Sequence, residues 1–156
     1  MMELLAPAGS LEALKTAVLY GADAVYVGGE MYGLRAKAKN FNDNQLAEAV
    51  AYAHERGVRV HVTVNIIAHN QHLDGLKDYL LHLQSIGVDA LIMADAGMIS
   101  IAREVVPDME IHLSTQASAT NYATFNFWHK QGVKRVVAAR EVSLEELSQI
   151  RKSLYR

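Results

Sequence analysis

The 156-residue chain contains no cysteine. That absence excludes disulfides, thiolate metal ligands, iron–sulfur ligation and a cysteine nucleophile within these residues. There is no apolar run of the roughly 18 residues that a membrane span requires, and no charged start followed by an apolar segment and a cleavage site. Neither sign of charge is in surplus. Fifteen Lys and Arg face seventeen Asp and Glu, a formal net charge of −2, so no global pull toward nucleic acid or membrane is encoded, and only a local basic patch could supply one. A cytoplasmic protein without membrane contact is expected. Recognisable catalytic strings are also missing: no GxSxG elbow accompanies the serines, no HExxH surrounds the histidines, Gly28-Gly29 is not a GxGxxG fingerprint, and no GxxxxGK[ST] loop occurs.

What is present is enough apolar material for a sizeable core: 51% of residues are hydrophobic against 21% charged, as in a soluble globular domain. One domain over residues 1–156 is expected. Its organising signal is a repeated glycine-then-strand pattern: YGADAVYVGG from Tyr20, RGVRVHVTVN from Arg56, IGVDALIMAD from Ile86 and QGVKRVVAAR from Gln131. A glycine just past an amphipathic segment supplies the left-handed residue that ends a helix. The Val/Ile/Leu/Ala runs that follow read as lacking polar alternation, as expected of parallel strands buried on both faces. Gly21, Gly57, Gly87 and Gly132 are 36, 30 and 45 residues apart, and the longest gap holds a further strand, EIHLS, introduced by Pro107 and Asp108.

With MELLAP at the start, the pattern predicts strands near 3–6, 23–28, 58–64, 89–93, 110–114 and 134–139, and helices near 10–20, 43–56, 72–86, 96–106, 121–131 and 143–153. Ser10, Asn42 or Asp43, and Ser143 with Glu146 in a capping box supply helix starts. Six consecutive β/α units leave an open doubly wound sheet or a (β/α) barrel, and the even unit length favours the barrel. A full barrel needs about 250 residues and eight units, so an incomplete, TIM-barrel-like α/β fold with about six of eight units is expected. Its first and last strands would expose hydrogen-bonding edges, through which a homo-oligomer could form.

In such folds, function collects beyond the carboxyl ends of the strands. Those ends supply Arg35, Lys37 and Lys39 in a long loop flanked by Tyr32 and Phe41, then Asn65, Asp95, Ser114-Thr115-Gln116, and Arg140-Glu141. The basic loop can hold phosphate or a stacked base, or simply be solvated. Asn65 and Gln116 can fix a ligand at a pocket floor or cap the following helix, and Asp95 can serve as a base or cap the helix at Ala96. His69 and His72 are three apart with Asp74 nearby, but no metal motif surrounds them and no metal site is expected. His61 and His112 fall inside strands, where a buried, hydrogen-bonded imidazole is the ordinary expectation.

ELLAPAGSLEALKTAVLYGADAVYVGG, RAKAKNF, VTVNIIAHN, DALIMADAGMI, HLSTQASATN and AAREVSLEEL, in this order and across nearly the whole chain, resemble the amino-terminal part of the U-32 (collagenase-like) peptidase family. The resemblance implies a barrel-type catalytic domain. It further implies a parent that is an RNA-modifying enzyme, carrying out prephenate-dependent 5-hydroxylation of the wobble uridine of transfer RNA, with transfer RNA and a small carboxylate as partners and an iron–sulfur cluster held by cysteines downstream. Arg35, Asn65, Asp95, Gln116, Arg140 and Glu141 are the positions that carry over as substrate-binding candidates, with Lys37, Lys39, Ser114 and Thr115 weaker ones; the cluster ligands have no counterpart. The catalytic residues themselves are not assigned. A collagenase-like peptidase and a non-catalytic interaction fragment are the alternatives, and the 156 residues alone are expected to be inactive.

Overall fold

A computed structural model describes residues 2–34 and 40–154. Six parallel strands, β1 (Leu5–Pro7), β2 (Ala24–Gly28), β3 (Arg59–Val64), β4 (Ala90–Met93), β5 (Glu110–Leu113) and β6 (Arg135–Val136), form one sheet in the order β1-β2-β3-β4-β5-β6. Strand order that follows chain order, with a helical crossover after each strand, is the arrangement of a (β/α) barrel wall rather than of a doubly wound sheet, whose order reverses at a switch point. The sheet curls into an incomplete TIM-like barrel. The outer layer consists of α1 (Leu11–Leu19), α2 (Asp43–His54), the single turn α3 (Asn70–Leu73), α4 (Leu76–Ser85), α5 (Ala96–Val105), α6 (Tyr122–Lys130) and α7 (Leu144–Ser153).

Local chemistry starts and stops these helices where expected. The side chains of Ser10, Asn42, Asp95, Asn121 and Ser143 each accept a backbone N–H from the first turn, satisfying donors that have no partner inside the helix. Asn42–Gln45 and Ser143–Glu146 are reciprocal capping boxes. The four repeat glycines all adopt positive φ, between 70° and 91°, and send the chain from helix into strand.

Three expectations need correction. The helix expected over 72–86 is two helices, because Gly75 takes φ 82° between α3 and α4. The last strand, expected over 134–139, is reduced to Arg135 and Val136 opposite His112 and Leu113; the Lys134 and Val137 N–H groups still bond the Ile111 and Leu113 carbonyls, but the Ala139 N–H turns away to the Ala119 carbonyl. The strands are also not uniformly apolar. In β3, Val60, Val62 and Val64 are wholly buried in the core shared with the helices, whereas Arg59, His61 and Thr63 occupy the opposite face. Glu110, His112 and Ser114 repeat this pattern at β5. One face of the curled sheet packs on helices and the other lines the barrel interior, so these strands are alternating after all.

Candidate functional site

At the carboxyl ends of the strands lies a cavity of about 510 Å³, to which all six strands or the segments following them contribute. Its base is the inward face of the sheet, with Leu5, Tyr26, Ile92 and Val137; its polar wall is Thr63, Asn65, Ser114, Thr115 and Gln116; and Arg140 stands at its margin, exposed. Asn65 is the residue after β3, and Ser114 to Gln116 form the turn after β5, so each side chain is aimed by the strand before it.

Within the wall, Asn65, Ser114 and Gln116 are one hydrogen-bonded unit. Asn65 Nδ2 donates to Gln116 Oε1 (2.6 Å), Ser114 Oγ donates to the same oxygen (3.0 Å), and Gln116 Nε2 donates back to the Asn65 carbonyl (3.1 Å). The Leu34 backbone N–H donates to Asn65 Oδ1 (3.3 Å), tying in the segment after β2. Ser114 is buried, and its hydroxyl is spent on an amide rather than on an imidazole, so it lacks the base that would activate a nucleophile.

The other candidates fall elsewhere. Asp95 does not line the cavity: Oδ1 caps α5 by accepting the Met98 N–H (2.9 Å), and Oδ2 accepts the Ala68 N–H (3.3 Å), which binds the loop after β3 to the start of α5. Glu141 is exposed and also away from the lining. Arg35, Lys37 and Lys39 lie outside the described residues. Their aromatic flanks are engaged in packing. Phe41 is buried and joined to the sheet edge by a bridge to Gly29, while Tyr32 donates its hydroxyl to the Asp74 carbonyl and stacks on Tyr79 with ring centroids 5.1 Å apart. Gly29 allows that arrangement, since a Cβ there would sit 2.4 Å from the Tyr79 hydroxyl. His72 Nδ1 accepts the His69 N–H, and no group of three or more His, Asp or Glu among the described residues is placed to hold a metal ion.

Sequence reasoning missed what lies beneath the cavity. His61 and His112 meet edge to face inside the barrel, ring centroids 4.7 Å apart, and both are buried. Contrary to expectation, neither ring nitrogen of His61 has a hydrogen-bond partner among the described residues. Burial, followed by the neighbouring His112 and Arg59, pushes its pKa down to about 4. His112 Nε2 donates to Glu110 Oε1 (2.8 Å), yet burial outweighs that bond and its pKa is also lowered. Below them Glu3 takes both guanidinium nitrogens of Arg135, at 2.8 and 3.1 Å, and a further bond from Arg59. The Arg135 hydrogen bond leads the causes that hold the Glu3 carboxyl down at about 2. Burial alone would raise Glu110, but the bond from His112 and the two arginines outweigh it and lower its pKa. The available signal was the alternation in RVHVTV and EIHLS, which puts polar groups on the lumen side.

Among known proteins the sequence model of peptidase family U32 matches residues 9–155. The chain is 49% identical over 152 residues to "tRNA hydroxylation protein P1" of Bacillus subtilis, covering 97% of this chain and 36% of that protein. It is 46% identical over 149 residues to "tRNA hydroxylation protein P" of Escherichia coli, covering 96% of this chain and 33% of the relative. The chain thus spans about a third of the length of these curated relatives. A solved U32 peptidase structure superposes with a TM-score of 0.81 at 18% identity, covering 99% of this chain and 66% of its own, which establishes the shared fold. On the family match, the ordered motifs and the common barrel wall, the chain belongs to peptidase family U32.

Proposed function

We propose that this chain is the ligand-binding barrel wall of a transfer-RNA hydroxylation enzyme, acting in 5-hydroxylation of the wobble uridine with prephenate as a carboxylate co-substrate. The observation that carries the reading is near-full coverage of the chain, at 49% and 46% identity, by relatives named for transfer-RNA hydroxylation. The cavity is compatible with it. Arg140 offers a guanidinium fork to a carboxylate, and Asn65 and Gln116 offer amide N–H groups that orient a planar ligand. Arg35, Lys37 and Lys39 are proposed as phosphate contacts. These residues bind and orient; none of the described ones is assigned the oxidation itself.

The iron–sulfur cluster implied by the family resemblance does not fit these residues, because its thiolate ligands would require cysteines that the sequence lacks. No step is routed through it. The peptidase reading has the family's name in its favour, but Ser114 is bonded to Gln116 and the two buried histidines lie beneath the cavity, so among the described residues no nucleophile–base pair is assembled at the rim.

The decisive measurement is mass spectrometry of nucleosides from transfer RNA of cells lacking the protein. The intact protein is expected to restore 5-hydroxyuridine, and Arg140→Ala to restore about a tenth or less of it, as for loss of a charge-assisted ligand contact. Unchanged nucleosides on return of the intact protein would defeat the reading.

A further inference from the structure

The orientation of the amides at the cavity wall is determined by backbone groups. A backbone N–H can only donate, so the Asn65 atom facing the Leu34 N–H at 3.3 Å is its oxygen, and its nitrogen therefore turns toward Gln116. A backbone carbonyl can only accept, so the Gln116 atom 3.1 Å from the Asn65 carbonyl is its nitrogen, and its oxygen turns toward Asn65 Nδ2 and Ser114. The two amides are fixed from opposite ends, and the results agree.

What remains unused follows from counting. Gln116 Oε1 accepts from Asn65 Nδ2 and from Ser114 Oγ, which occupies both of its lone pairs. Gln116 Nε2 spends one hydrogen on the Asn65 carbonyl and keeps the other; Asn65 Nδ2 spends one on Gln116 and keeps the other. Gln116 thus presents only a donor, and Asn65 presents a donor beside one lone pair. Arg140, on the same cavity, can only donate. Gln116 has spent its acceptor within the wall.

We propose that Gln116 and Asn65 recognise an unprotonated sp² oxygen of the ligand, a carboxylate or a ring carbonyl, and that Ser114 is a positioning residue that fills the second lone pair of Gln116 Oε1 and so leaves Gln116 a donor only. A ligand donor group set against Gln116 would meet an N–H and leave two donors facing each other, which is the costly mismatch of an unmade hydrogen bond. Ser114 lines the cavity but is buried, and its hydroxyl hydrogen is spent on Gln116, through which it acts on the ligand. The inference deepens the reading of this cavity as the ligand site. It does not require that the ligand belong to RNA modification.

The test is binding without turnover, read from the side-chain amide resonances of Gln116 and Asn65 in the ¹⁵N-labelled intact protein. Benzoate supplies a carboxylate, uridine a ring carbonyl, and benzylamine a donor of similar size. Saturable downfield shifts of the free amide protons with benzoate identify a carboxylate, and shifts with uridine identify a carbonyl. Benzylamine is expected to leave the Gln116 resonances in place, since Gln116 has no free acceptor. Ser114→Ala should weaken binding of the active probe about three- to tenfold, as one lost orienting hydrogen bond does, and the resonances should then respond to benzylamine as well. A purely structural serine would move the melting temperature and leave affinity and probe preference alone. Shifts of the Gln116 amide with benzylamine in the wild type, no shift with either benzoate or uridine, or unchanged affinity in Ser114→Ala overturns the proposal. Because no modified nucleoside is measured, failure of the hydroxylation reading and failure of this one are separately visible.

Discussion

Glu3 and Arg135 are 132 residues apart, yet Glu3 accepts both ends of the Arg135 guanidinium across the amino-terminal mouth of the barrel. Glu3 precedes the first strand and Arg135 begins the sixth, so the pair joins the two edges of the curled sheet. Arg59, from the middle of the sheet, donates to the same carboxylate and lies 3.8 Å from Glu110. The pair is only partly exposed, at 25% for Glu3 and 36% for Arg135, and a bidentate fork fixes geometry as well as charge.

Glu3→Gln should therefore destabilise the protein beyond the value of a surface pair. It leaves two half-buried guanidinium groups sharing a neutral partner, and a loss of about 1–2 kcal/mol is expected, below the cost of breaking a fully buried pair. Urea unfolding at pH 7 measures it. A change within experimental error would mean that the pair follows the curl of the sheet rather than helping to hold it.

Stability should fall with acid in two overlapping windows. His61 has a folded-state pKa of about 4, below its ordinary value of 6.5, so between those values the unfolded chain binds a proton that the folded chain refuses, and stability falls as pH drops from 6.5 toward 4. The shift corresponds to roughly 3 kcal/mol when the window has been crossed. Glu3, held near 2 instead of 4.5, contributes stability above pH 4.5 that is lost as pH falls toward 2. His61→Leu removes the His61 share of the first window, leaving that of His112, whose pKa burial also lowers, and leaves the second. Unfolding free energy measured from pH 8 to pH 4 should slope upward with pH in the wild type and be flatter in the variant; equal slopes would show that His61 takes up its proton freely in the fold.

The contact of Gly29 with Tyr79 predicts a rescue. Gly29→Ala places a methyl 2.4 Å from the tyrosine hydroxyl and should cost about 1–3 kcal/mol as an overpacking substitution. Tyr79→Phe removes that oxygen, which is buried, has no partner among the described residues and stays protonated because burial raises its pKa. The single Tyr79→Phe change should be near neutral, and in the double variant the added methyl faces the ring carbon at 3.6 Å, an ordinary contact. A double-mutant cycle by thermal unfolding should show coupling above about 0.5 kcal/mol; strict additivity would contradict the contact.

The barrel was legible because its signals are local. Gly21, Gly57, Gly87 and Gly132 mark helix ends, Ser10, Asn42 and Ser143 mark helix starts, and the even unit length favours a barrel. The strand-end rule also led to Asn65, Ser114, Thr115, Gln116 and Arg140, five candidates that line one cavity. The interior polar cluster was lost by reading RVHVTV and EIHLS as apolar runs, when Arg59, His61, Thr63, Glu110 and His112 alternate with the core residues. No local pattern could pair Glu3 with Arg135, because only the curl of six strands brings them together. Nor does the sequence reveal that Gln116 exhausts its acceptor, since that depends on Ser114 and on the side-chain amide of Asn65, 51 residues away.

Asp95 separates a structural carboxylate from a chemical one. Both its oxygens accept backbone N–H groups, Met98 at 2.9 Å and Ala68 at 3.3 Å, and the residue stands off the cavity lining. Asp95→Ala deletes both bonds and should cost about 1–2 kcal/mol, as for loss of a helix cap. Asp95→Asn keeps the cap on Met98 but turns an NH₂ toward the Ala68 N–H, so about 0.5–1 kcal/mol is expected, between wild type and alanine. Under the proposed function, neither change should lower the 5-hydroxyuridine content of transfer RNA in complemented cells at a temperature where the variant is folded. The asparagine variant is the sharper probe, because it removes any capacity to accept a proton while leaving the helix start nearly intact. If it abolished hydroxylation at normal protein levels, Asp95 would have to act as a base in spite of its two backbone bonds.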